Sequence, residues 1–199
     1  MPVLAIGNGE SRFDLKLTKV KYTTIGCNGI HRDFTPNYLV CVDRRMVTEA
    51  LEKNFQNKIL TRQDWLPQFS KFKQVLPVPS LPFIENKTKA DKPFNWGSGP
   101  YALLLAAMLD CKVNMIGFDL YGKDKLINNI YKGSTNYDPP THHAIDPRYW
   151  IYQIYRIFES FKNTDFTIFQ TPDWIIPTQW KLPNVSVDII DNLKYNSNN

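Results

Sequence analysis

The chain has 199 residues, with 24 Lys and Arg against 19 Asp and Glu and 43% hydrophobic residues, enough apolar material for one well-filled core. Charged residues at 22% and aromatics at 14% exclude disordered, collagenous and coiled-coil chains. The net charge of +5 favours anionic partners such as nucleotides or acidic sugars, but the basic residues form no contiguous block, so no nucleic-acid partner is expected.

The amino-terminal residues 3–6 are a short apolar run stopped by Gly7-Asn8-Gly9, which predicts a buried strand rather than an amphipathic helix. No basic n-region precedes it, so no signal peptide is expected. Residues 22–25 and 38–42 repeat the strand pattern. Residues 46–55 carry Met46, Val47, Ala50 and Leu51 at helical spacing, and a further strand is predicted over 58–60. Prolines at 77, 79, 82 and 93 forbid a continuous helix or an interior strand over 76–93, so an extended connection is expected there. Ser98-Gly99-Pro100 then opens an apolar helix over 101–109, with Ser98 predicted as its N-cap. That helix is about half the ~20 residues a bilayer span needs, and no transmembrane segment is expected.

Residues 113–117 read as another strand, ending in Phe118-Asp119-Leu120-Tyr121. The polar stretch 122–146, interrupted by Pro139-Pro140, has the composition of a mobile lid. Trp150, Ile154, Ile157, Phe158 and Phe161 share one helical face, and 166–169 predict a last strand. Apolar strands alternating with helices imply an α/β fold: one Rossmann-like domain over 1–190 with a mainly parallel sheet flanked by helices, then a flexible tail over 191–199. Cys27, Cys41 and Cys111 are odd in number and lack metal-ligand spacing. No disulfide framework or metal site is therefore expected, and a reducing, cytoplasmic location fits.

Ligands of open α/β sheets sit beyond the carboxyl ends of the strands. The polar residues at those ends are Asn8, Gly9, Ser11, Asn28, Asp43 and Asp119. Gly7 and Gly9 permit a tight turn, and Asn8 can both donate to and accept from a nucleotide, although a plain turn explains the same residues. Ser98 and Gly99 at a helix start suit an anion or simply a cap. His142 and His143 in the lid offer a general base, or are a surface pair. Tyr131 and Tyr137 either donate to a leaving phosphate or anchor the lid.

Taken in order, Ile6-Gly7-Asn8-Gly9-Glu10-Ser11, Gly26-Cys27-Asn28, Ser98-Gly99-Pro100-Tyr101 and Ile116-Gly117-Phe118-Asp119-Leu120-Tyr121 resemble the bacterial sialyltransferases of glycosyltransferase family 42, the Campylobacter lipooligosaccharide type. The similarity is to that family's glycine turn, its Cys-Asn strand end, its Ser-Gly helix start and its strand ending in tyrosine. By resemblance, Asn8, Gly9 and Asn28 contact CMP, and Ser98 and Gly99 line the same pocket. Tyr121, with Tyr131 or Tyr137, holds the leaving phosphate, and His143, or His142 in its place, is the base.

The implied reaction passes an acidic sugar from a CMP-activated donor to a glycan hydroxyl, with inversion and with no cofactor or metal. Family members of this type often form homo-oligomers. Where the family has proline, this chain has Glu10, a carboxylate that would repel phosphate unless Arg12 offsets it. Archaeal hydroxymethylpterin diphosphokinase-like proteins share the core and a similar glycine turn, so a diphosphokinase or other nucleotide-dependent transferase is the alternative, and a binding protein that has lost the chemistry is a third. A methyltransferase using S-adenosylmethionine lacks the third glycine of its fingerprint here.

Overall fold

The computed structural model describes residues 2–82 and 88–196. One eight-stranded sheet runs through the protein: β1 (Val3–Ile6), β2 (Thr23–Cys27), β3 (Tyr38–Val40), β4 (Lys58–Thr61), β5 (Val75–Pro77), β6 (Lys112–Ile116), β7 (Asp165–Gln170) and β8 (Val185–Ile189). The spatial order is β5-β4-β3-β2-β1-β6-β7-β8, and every pairing is parallel. The expected α/β fold is present.

Alternation along the strands sorts the core into two layers. Val3, Ala5, Ile25 and Val40 face α2 (Ser98–Leu109) and α3 (Arg148–Ser160), whereas Leu4, Ile6, Leu39 and Ile59 face α1 (Arg44–Glu52) and α4 (Ile190–Asn196). Helix α2 is apolar on all sides because it crosses β1, β2 and β3 under α3, with Tyr101, Leu103 and Leu104 almost wholly buried. Beyond it, Phe158 of α3 packs between Phe166 and Trp180 at ring-centroid distances of 4.7 and 5.6 Å.

The structure corrects the sequence reading at several points. β5 lies inside the stretch expected to be extended connection; an edge strand tolerates Pro77 because its outer N–H positions need no partner. Part of that stretch, 83–87, lies outside the described residues. β8 was not anticipated, and its Val187 and Ile189 are exposed at the opposite edge. Residues 190–196, assigned mostly to a tail, form α4 with Leu193 fully buried; the remaining tail residues lie outside the described ones. Asp43 is the N-cap of α1, its side chain accepting from Arg45 N–H. The N-cap of α2 is Gly97, and Ser98 is the first helical residue. No helix among the described residues is long and apolar enough to cross a membrane.

Candidate functional site

β5 lies at one edge of the sheet and the next strand in sequence, β6, returns to pair with β1. The direction of winding reverses there, so the loops after β1 and β6 diverge and leave a crevice at the strands' carboxyl ends. A cavity of about 410 Å³ occupies it. Its wall includes Asn8, Gly9, Asn28, Ser98, Gly99 and Asp119 from the sheet and α2, closed above by lid residues Lys132, Tyr137 and Asp138. Of the candidates at strand ends and the helix start, all but Ser11 therefore meet on one wall, together with Tyr137.

Close backbone approach shapes the floor. A Cβ at Gly7 would lie 2.2 Å from the Gly117 carbonyl oxygen, and one at Gly9 would lie 2.3 Å from the Asp119 carboxyl carbon. Asp119, buried, accepts from Ser11 N–H at 2.8 Å, Ser11 Oγ at 2.5 Å and Gln170 Nε2 at 2.8 Å. This carboxylate ties the loop after β1 to β6 and β7. Ser11 is the exception; its hydroxyl serves that tie and is not on the cavity wall.

Two asparagines present complementary groups to the cavity. Asn8 Nδ2 donates to Cys27 O at 3.1 Å and to the Tyr137 hydroxyl at 3.3 Å, while its Oδ1 is buried without a hydrogen-bond partner among the described residues. A buried acceptor left open is costly, and Asn8 as a residue lines the cavity. Asn28 sits in the left-handed region at φ 49, and its Oδ1 accepts from Ser98 Oγ at 2.7 Å. Ser98 Oγ in turn accepts from Val42 N–H at 3.0 Å. Because the Ser98 hydroxyl braces β3 and Asn28 rather than capping α2, the first-turn amides of Ser98 and Gly99 have no intrahelical acceptor and carry the positive end of the helix to the cavity. Buried Cys27 lines the floor, and burial pushes its thiol up to about 12, so it is not a nucleophile.

Lid residues supply further positive and donating groups. The Tyr137 hydroxyl accepts from Gly29 N–H at 2.9 Å as well as from Asn8, which leaves its own proton for the cavity. Burial, the largest effect, raises its pKa, so the phenol stays a donor. Lys132 lines the cavity and pairs with Glu10. The carboxylate at position 10 is therefore offset by Lys132 and not, as expected, by Arg12. Arg12 is buried, donating to Gly7 O at 2.7 Å and to the Tyr131 hydroxyl at 2.9 Å, with Asp33 at 3.4 Å.

Other candidates lie off the wall. Tyr131 is buried and bonded to Asp33 and Arg12, which makes it an anchor of the lid. Tyr121 is 42% exposed and its side chain does not line the cavity. Leu126 and His143 form an antiparallel bridge, flanked by Ile127 N–H to His142 O and Ala144 N–H to Lys125 O. Ile127 and Ala144 line the cavity, whereas Leu126 and His143 do not. His142, exposed like His143, is also off the cavity wall, with Nδ1 3.9 Å from the carboxylate of Asp138. The sequence reading missed Lys132, Asp138 and Trp150 on the wall. Trp150 packs over Gly97 at the start of α2; its place on the apolar face of α3 signalled core and hid its second contact.

No family model matches the chain, and no curated protein matches it in sequence. Among solved structures it is similar to the sialyltransferase CstII from Campylobacter jejuni in complex with a substrate analogue, CMP-3FNeuAc, with a TM-score of 0.55 at 11% identity over 87% of this chain and 83% of that one. It is also similar to a single-residue variant of CstII in complex with CMP, with a TM-score of 0.52 at 13% identity over 92% of this chain and 87% of that one. The likeness is one of fold.

Proposed function

We propose that the protein is a sialyltransferase-like glycosyltransferase, which takes CMP linked to an acidic sugar into the cavity and passes the sugar to a glycan hydroxyl with inversion and without a metal ion. The observation that carries this reading is the convergence, on one switch-point cavity, of the Asn8 amide, a free phenol proton on Tyr137, the Lys132 ammonium and the first turn of α2. Asn8 and Asn28 suit a nucleoside, whose base and ribose both donate and accept. Tyr137, Lys132 and the amides of Ser98 and Gly99 suit the phosphate, whose negative charge grows as it leaves. The likeness in fold to CMP-bound CstII supports the same choice of nucleotide.

In this mechanism a base removes the acceptor's hydroxyl proton as its oxygen attacks the anomeric carbon, and the bond to the CMP phosphate breaks. The contact of His142 with Asp138, itself a cavity-lining residue, favours it over His143 for that role. Asp138 would steady the imidazolium formed. The decisive experiment is a thermal-shift series with CMP, CDP, UDP, GDP, ATP and S-adenosylmethionine, each with and without Mg²⁺, followed by transfer assays with CMP-sialic acid. A shift with CMP that ignores Mg²⁺, and transfer lost in His142→Ala but retained in His143→Ala, are expected. A shift confined to ATP with Mg²⁺ would move the protein to phosphoryl transfer, and no shift with any nucleotide would refute a nucleotide site.

A further inference from the structure

We infer that Glu49, a carboxylate on α1 outside the cavity, is the latch that holds the lid over the site. It is a positioning residue, and its link to nucleotide affinity rests on the reading of the cavity as a CMP site. Glu49 receives a two-bond fork from Arg32, Nε to Oε1 at 2.6 Å and Nη2 to Oε2 at 2.7 Å. The same guanidinium reaches the lid, donating to Ser134 Oγ at 2.6 Å and Thr135 O at 2.7 Å. It also lies over the rings of Tyr131 and Tyr137, 5.5 and 5.2 Å from their centroids. Asn136 of the lid donates directly to Glu49 at 3.0 Å.

On its other side Glu49 meets the floor. His31 is fully buried in its side chain, with Nε2 3.3 Å from Glu49 Oε1 and Nδ1 2.9 Å from the carbonyl oxygen of Asn28. A carbonyl can only accept, so Nδ1 carries a proton and the ring clamps Asn28 in its left-handed conformation. One carboxylate thus binds the lid directly and through Arg32, and touches, without a hydrogen bond, the histidine that holds the asparagine beneath the cavity. Lys53 Nζ also lies 3.5 Å from Glu49 Oε1. Bidentate guanidinium–carboxylate pairs hold geometry as well as energy, and neither Glu49 nor Arg32 lines the cavity. A surface ion pair with no such task would not need partners from α1, the loop after β2 and the lid at once.

The test compares the native protein with Glu49→Gln, which keeps the shape and removes the charge, and with Asn136→Gly. The second variant deletes only the lid-side bond, at a position whose φ of 66 glycine adopts without strain. It keeps the inference testable should the first fail to fold. Limited trypsin digestion reads lid opening as cleavage after Lys132, with cleavage after Lys181 as internal control. Calorimetric titration reads CMP affinity.

Cleavage after Lys132 about tenfold faster or more in Glu49→Gln, and faster to a smaller degree in Asn136→Gly, is expected, with the Lys181 site unchanged. CMP affinity in Glu49→Gln should fall several-fold, and saturating CMP should restore resistance to trypsin, as linkage between closure and binding demands. Lid cleavage unchanged in both variants would overturn the latch, and so would faster cleavage with unaltered CMP affinity. If native protein binds no CMP, the nucleotide reading fails, and the latch stands or falls on the cleavage rates alone.

Discussion

Replacing Tyr137 by Phe removes one oxygen and separates two effects. Within the protein, that oxygen accepts from Gly29 N–H at 2.9 Å and from Asn8 Nδ2 at 3.3 Å. Asn8 keeps its bond to Cys27 O at 3.1 Å, so only the Gly29 amide is left wholly unpaired. Leaving one partly buried amide unpaired costs about 1–2 kcal/mol, which lowers the melting temperature of a chain this size by about 2–8 °C.

Toward the ligand, the loss is a phenol donor to a phosphate oxygen, worth about 1.5–3 kcal/mol, or about 10- to 100-fold in affinity. Calorimetric titration with CMP and with cytidine resolves the two effects, because cytidine has no phosphate. CMP should lose its advantage over cytidine in the variant, while cytidine itself binds almost as before. Equal loss for both ligands would show that Tyr137 only shapes the floor, and an unchanged CMP affinity would remove it from the phosphate site.

Three further outcomes follow from the same geometry. Gly9→Ala drives a methyl to within 2.5 Å of both carboxylate oxygens of Asp119, which Ser11 and Gln170 hold in place, so thermal melts should show a loss of about 1–3 kcal/mol; an unshifted melt would mean that the loop after β1 moves freely. Phe158→Ala empties a fully buried site between Phe166 and Trp180 and should cost about 3–5 kcal/mol in chemical denaturation, whereas a loss under 1 kcal/mol would contradict the packing described. The bond from Arg32 holds Glu49 at about 2, below its usual 4.5. That depressed value means its stabilisation is complete above pH 4.5 and is lost as pH falls toward 2. Melting curves over that window should therefore fall more steeply for the native protein than for Glu49→Gln, and parallel curves would refute the assignment.

Local pattern in the chain was sufficient for the α/β class, for six of the eight strands and for α2 and α3, because buried parallel strands are short apolar runs and amphipathic helices repeat every three to four residues. It also placed Asn8, Asn28 and Ser98 at strand ends or a helix start, where ligands of such sheets collect. What escaped it were the edge strands β5 and β8, whose prolines and exposed residues blur the pattern, and every relation between distant segments. Glu10 with Lys132, Arg12 with Tyr131, Asp119 with Ser11 and Glu49 with Asn136 pair across roughly 90 to 120 residues. No local periodicity records such pairings, since they arise only when the sheet order brings the carboxyl ends of β1, β2 and β6 under one lid. For that reason Tyr131 and Tyr137, equivalent as residues in a polar loop, became an anchor and a cavity donor respectively.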